Sequence, residues 1–389
     1  MTDQAIPVAA PAAANKAALS SAKPRIAYID IAKCFAMVLI VLGHLTITAW
    51  GAGIPSQVRD VCYSCNVQAF FILSGYFFNP AKAFGLRKNL KHLLGPYLCS
   101  GLLLILFAML FSALLDPGHS LLSVAGGWLG ATLYGVGCSG QPTWFSVLPV
   151  GGLWFLLALF IGKALLWWSW RLPCPSVLRR GLAAHRDLIM PSIVAVLLFV
   201  ISSVSVSWTF LPFSIQPGMG AVLWLMLGII LKRSHFLEKM TWPVILSALV
   251  LWISGILMPS PGAYPVWCSY PHGAFDVLVG LAGTICLLAL GRSIERHCRR
   301  LTIFLAMCGR NTLAFFCFHI IDIDVFPIIL METPIVALSG IPFGPITVVL
   351  QSLVALVLSL LMYLLPRPIA ALYFPQKTTK VRKGAKSAS

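Results

Sequence analysis

The sequence predicts an all-α protein: a polytopic membrane helix bundle of about ten transmembrane helices, with both termini in the cytoplasm. Three observations predict it. First, 59% of the 389 residues are hydrophobic and only 10% are charged, with a mean hydropathy of +0.90. A soluble chain is near half apolar and a quarter charged, so the surplus has to face lipid. Second, ten stretches approach the roughly 20 apolar residues that a span needs: 29–50, 61–79, 93–115, 152–170, 189–207, 217–231, 242–258, 274–291, 302–321 and 345–365. Third, the N-terminal tail, 80–92, 171–188, 232–241, 292–301 and the C-terminal tail hold 24 of the 28 Lys and Arg, whereas the alternate segments 51–60, 116–151, 208–216, 259–273 and 322–344 hold only Arg59. That is the positive-inside pattern. It also accounts for the net charge of +17, which in a soluble protein would suggest nucleic acid; no nucleic-acid partner is expected here.

Residues 1–24 are rich in Ala, Pro and Ser without apolar period and are expected to be a disordered cytoplasmic tail. Their A-x-A stretch precedes the apolar run, whereas a signal-cleavage site follows it. Residues 25–366 form the transmembrane domain. Within it, SLLSVAGGWLGATLYGV (120–136) is apolar but Gly-rich and short, which suits an interfacial or re-entrant piece. The sixth span is also short and starts earlier than 217. Residues 367–389 make a basic cytoplasmic tail able to touch anionic lipid. No internal repeat is visible, so an inverted-repeat transporter has no support. The eleven cysteines are scattered without paired CxxC motifs at zinc spacing, and no metal site is expected. Cys62, Cys65, Cys138 and Cys268 fall in or near the loops placed outside; they either form a disulfide or pack as small apolar groups.

The first span carries three ionisable groups. At 100° per residue, Asp30, Lys33 and His44 form one stripe, with His44 roughly 16 Å above Lys33. Asp30 can neutralise Lys33 as an i, i+3 pair, and the pair either marks the boundary or serves chemistry. Nothing nearby in this span partners His44. It is either a structural hydrogen bond between helices or a general base.

Five motifs in order then carry a resemblance. RIAYIDIAKCFAMVLIVLGH (25–44) has a basic residue, ten intervening residues and a histidine in Lys33 and His44, with Asp30 at an acidic position. FFILSGYFF (70–78), RKNLKHLLGPY (87–97), GGLWFLLALF (151–160) and GRNTLAFFCFHI (309–320) follow. Together they resemble the membrane-bound acyltransferase family 3 over residues 25–365. The sugar-O-acetylase branch of that family has His and Pro before the Phe-Phe pair, where this chain has Asn66 and Gln68.

The resemblance implies an O-acyltransferase of the bacterial inner membrane. It would move an acyl group, acetyl above all, from an acyl-CoA donor to a hydroxyl of a sugar, exopolysaccharide or lipid-linked glycan, with no permanently bound cofactor. His44, Lys33 and Asp30 would be catalytic. Arg87 and Lys91, i and i+4 on one helical face, would meet the donor's phosphates, with Lys88 and His92 beside them, and Ser74-Gly75 would let its thin arm approach. Arg310, Asn311, His319 and Trp154 would contact substrate. His319 with Asp322, and His272 with Asp276, could each touch an acceptor or be satisfied polar pairs. A rival reading is a transporter or flippase for a lipid-linked glycan; a third is a partner protein that keeps the fold without activity.

Overall fold

The computed structural model describes residues 26–47, 55–115, 118, 120–173, 186–258, 262–320 and 367–374. Among them there is no strand, only an isolated bridge between Tyr264 and Ser269. Helix α1 (Ala27–Ile47) is followed by α2 (Ser56–Tyr63) and α3 (Asn66–Tyr76). A short helical turn (Leu86–Asn89) and a π-turn (Leu90–Leu94) lead into α4 (Gly95–Leu115), and α5 (Leu121–Tyr134) folds back along it. Then come α6 (Trp154–Ser169), α7 (Arg186–Ser205), α8 (Ile215–Arg233), α9 (Trp242–Ile256) and α10 (Ala274–His297). Helices α11 (Arg299–Arg310) and α12 (Thr312–Ile320) are bent by 58°; α13 (Arg367–Tyr373) is last.

Six of the described helical stretches are long and apolar enough to cross a membrane: α1, α4 with its entry turns, α6, α7, α8 and α10. The bent pair α11–α12 makes a seventh. The described residues thus account for six or seven of the ten expected spans. The expected second span is two helices, and α3 alone, at 11 residues, reaches only about 16 Å of a ~30 Å hydrocarbon layer. The chain breaks at Cys65 (φ −149°, ψ 1°). Ser64 Oγ there accepts from Trp252 Nε1 at 2.7 Å, and Gln68 Nε2 donates to the Tyr63 carbonyl at 3.3 Å. The segment expected at 120–136 is α5, a regular helix closed by Gly135 in the left-handed region (φ 74°). The sixth span starts at 215, earlier than 217 as expected. The tenth expected span, 345–365, and both outermost tails lie outside the described residues. Residues Arg367–Tyr373, placed by sequence in the basic tail, are instead a helix docked on the bundle, with Tyr373 Oη 2.9 Å from Ser100 Oγ of α4.

Helix α8 is the centre. Within the spans, 72% of α8 is buried inside the protein against 22% of α4. Helix α4 turns Leu98, Leu102, Leu106 and Leu110 outward at four-residue spacing, an apolar ridge for lipid. Helix α8 packs on α3, α6 and α7. Against α3 the approach is backbone to backbone: a Cβ on Gly75 would lie inside the Leu225 carbonyl, and one on Gly228 inside that of Ile72. Small residues at both sides of a crossing permit this.

The described segments rich in Lys and Arg gather at one end of the bundle. There Lys33 Nζ lies 5.4 Å from the centre of the Phe77 ring and Lys232 Nζ 6.0 Å from that of Tyr76. Trp167 Nε1 donates to the Lys82 carbonyl at 3.0 Å, Arg292 donates to that of Leu237 at 2.8 Å, and Arg233 pairs with Asp187.

Candidate active site

Helix α1 runs from this basic end to the opposite one. At its start Lys33 Nζ donates to Asp30 Oδ1 at 3.3 Å, the i, i+3 contact that the spacing predicts. At its last turn stands His44. Its ring meets that of His319 edge to edge and nearly coplanar, with centroids 5.3 Å apart and planes 12° apart, and His44 Nδ1 lies 3.1 Å from His319 Nε2. The bend between α11 and α12 makes this meeting possible. Asn311 leaves helical geometry (φ −106°, ψ 13°); its Nδ2 donates to the Met307 carbonyl at 3.0 Å, and Thr312 Oγ1 donates to that of Gly309 at 3.3 Å. Past the bend, α12 carries His319 to the far end of α1, where it is 1% exposed.

His44 lines a cavity of about 320 Å³. Its walls include Tyr63, Asn66, Cys138, Trp154, Tyr264 and Trp267, and the Gly151–Gly152 turn that opens α6. Aromatic faces with a few polar groups are the usual lining of a small-molecule site. Tyr63 Oη is buried there without a hydrogen-bond partner among the described residues. Asn66, 2% exposed, has Oδ1 occupied by the Val67 N–H at 2.6 Å, which leaves its amide N–H groups for the cavity. Gly152 lets the wall close on the histidine: a Cβ there would stand 3.3 Å from His44 Cε1 and 2.5 Å from Ile320 Cδ1.

A second, more open groove of about 360 Å³ runs between α1 and α11–α12. Cys34, Met37, Val41, Phe304, Cys308 and His319 are among its lining residues. The histidine pair thus stands between two spaces, His44 on the first and His319 on the second.

Of the residues singled out by sequence, the structure brings His44, His319 and Trp154 together at this end. Asp30 and Lys33 pair at the other. Arg87, Lys88 and Lys91 are exposed before α4 and His92 is half-buried beside them, at the helical turn and π-turn that pack toward α6. Gly75 is filled by the α8 backbone, so its missing side chain admits a helix rather than a thin substrate arm, and Ser74 beside it is half-buried. Arg310 is exposed at the bend and lines neither space, contrary to the cavity role expected of it; Asn311 is engaged in the bend itself. Asp322 lies outside the described residues. His272 and Asp276 satisfy each other at the start of α10, where Asp276 accepts from the His272 N–H at 2.9 Å and meets its ring Nδ1 at 3.0 Å. Cys62, Cys65, Cys138 and Cys268 form no disulfide with one another. Burial pushes the thiol of Cys268, in the loop before α10, up to about 12. Among the described residues no cluster of His, Cys, Asp or Glu suits a metal ion.

Sequence reasoning gave no role to Tyr63, Tyr264 or Trp267, which belong to no motif. It singled out Asn66 only as a departure, and the structure puts that departure in the cavity wall.

The chain belongs to the membrane-bound acyltransferase family 3: the family model described as an acyltransferase domain matches residues 26–364. No curated protein and no solved structure matches the chain. With its apolar helices, this defines a multi-pass membrane acyltransferase.

Proposed function

We propose that this acyltransferase moves an acyl group, acetyl above all, from an acyl-CoA to a hydroxyl of a sugar, exopolysaccharide or lipid-linked glycan at a bacterial inner membrane. The observation that carries the proposal is His44. Its Nδ1 is engaged by His319, while its Nε2 has no partner among the described residues, is not sealed off, and lies in the wall of an aromatic-lined cavity. A free imidazole nitrogen beside a space of this size is a general base in search of a hydroxyl.

The reaction balances on this chain's groups. An acceptor hydroxyl in the cavity gives its proton to His44 Nε2 as its oxygen attacks the thioester carbonyl. The tetrahedral oxyanion needs donors; the peptide N–H groups that open the Gly151–Leu153 turn border the same cavity and have no backbone partners among the described residues. Collapse breaks the carbon–sulfur bond, and the proton on His44 passes to the CoA thiolate. The donor would enter from the basic end. Arg87, Lys91 and Lys88 lie there for its phosphates, together with Lys33, and the apolar groove follows α1 from Cys34 toward the histidine pair. Under the positive-inside assignment that end is cytoplasmic and the His44 cavity faces the other side, where a growing or lipid-linked glycan would arrive.

Incubating purified protein with radiolabelled acetyl-CoA and candidate saccharides tests the reading. Label in an alkali-sensitive ester supports it. A glycan transporter or flippase, the rival reading, leaves no ester, and a wild-type protein that forms none with any acyl-CoA overturns the proposal.

A further inference from the structure

The two nitrogens of His319 carry more information than their proximity to the base. One faces His44 Nδ1 at 3.1 Å. The other, Nδ1, lies 3.1 Å from the backbone carbonyl of Phe315, one turn earlier on α12. A carbonyl oxygen only accepts, so His319 Nδ1 must carry the hydrogen. A neutral imidazole with its N–H at Nδ1 has a lone pair at Nε2. That lone pair meets His44 Nδ1, which must therefore donate, and a His44 with its hydrogen on Nδ1 presents a bare lone pair at Nε2. The opposite assignment would set a His319 lone pair against the Phe315 oxygen inside a residue only 1% exposed, with that ring nitrogen left unsatisfied.

We propose that His319 is a positioning residue: it fixes the tautomer and the ring plane of His44 so that a lone pair, and not an N–H, faces the cavity. This rests on the acyl-transfer reading above and replaces the substrate contact that the sequence suggested for His319. Both of its ring nitrogens are taken, so none remains for an acceptor hydroxyl. The anchor is stiff, because the chain of donors ends on the backbone of α12, and Phe316 packs at 5.6 Å between ring centroids against the His319 ring. During transfer, His44 gains a proton at Nε2 while its Nδ1–H stays donated to a neutral acceptor. The charge thus develops beside a lone pair already in place, the part a carboxylate plays in a hydrolase triad, with no second charge buried among the helices.

Two variants separate positioning from packing. His319→Phe keeps an aromatic ring to pack against Phe316 and removes the acceptor. His319→Gln loses the ring but offers a carbonyl oxygen to His44 Nδ1. The expected result is a fall in kcat of roughly 10²-fold for His319→Phe, with little change in KM for the acyl-CoA, and recovery of at least tenfold of that loss in His319→Gln. Nitrogen-15 NMR of histidine-labelled protein, with the His44 signals assigned by their loss in His44→Ala, should show one Nδ1–H tautomer in the wild type and a mixture in His319→Phe. An unchanged His44 tautomer in His319→Phe, or wild-type kcat in that variant, overturns the proposal. The tautomer readout needs no turnover, so a protein that transfers no acyl group sinks the reaction assigned above while leaving this inference to be decided by the spectra.

Discussion

The two ends of α1 hold their polar groups in opposite ways. At the basic end, Lys33 finds Asp30 three residues away on the same helix, and the remaining cations are largely exposed. At the far end, His44 finds its partner 275 residues along the chain, inside the bundle and beside a cavity. A pair made within one helical turn forms wherever the helix forms and asks nothing of the fold. A pair made between α1 and α12 requires α11 to pack along α1, then to bend, then to deliver one side chain at hydrogen-bond distance. As glue, an interhelical hydrogen bond in a membrane bundle contributes only about 1 kcal/mol. Stability is a weak reason for so much arrangement; holding a reactive nitrogen at a cavity is a better one.

The sharpest break in this comparison is His44→Ala. Transfer should fall by about 10³-fold or more, while the purified variant keeps the elution profile and melting temperature of the wild type; retained transfer would mean that the far end is also only structural. Next is Gly152→Val, which pushes a side chain against His44 and Ile320. Transfer should drop roughly 10²-fold, the scale on which misplaced catalytic groups lose rate, with membrane insertion unchanged in a protease-protection assay. At the other end, Lys33→Met should raise KM for the acyl-CoA about tenfold, the worth of one charge-assisted contact, and leave kcat nearly intact; an equal loss in kcat would show that Lys33 acts on the chemistry. Arg310→Gln should change neither parameter by more than about twofold, since exposed positions away from a site are nearly neutral. Smallest of all, Cys268 should resist maleimide at pH 8. Burial pushes its thiol up to about 12, which keeps it protonated through the neutral range, and labelling should appear only after unfolding.

Much of the helical frame could be read from composition, because lipid-facing stripes such as Leu98, Leu102, Leu106 and Leu110 are written locally. The break in the second span could not. Residues 61–79 contain no proline and only one glycine, Gly75, which lies away from the break; the chain yields at Cys65, where Trp252, nearly two hundred residues on, holds Ser64. The same holds for the site. His44 announced itself as a lone ionisable group in an apolar helix, and Trp154 by its motif. Tyr63 and Asn66 are polar residues at a helix break that hydropathy reads straight through. His319 was visible as a residue but not as a partner, since its distance from His44 is set by an angle between helices, which sequence does not print.

That angle makes α12 a short lever. His319 stands eight residues beyond Asn311, about 12 Å at 1.5 Å per residue. A swing of roughly 5° about Asn311 would carry its ring about 1 Å, enough to part a 3.1 Å contact. Whatever leans on α12 or slackens the Asn311–Met307 bond would therefore tune the reactive nitrogen from a distance, without touching it.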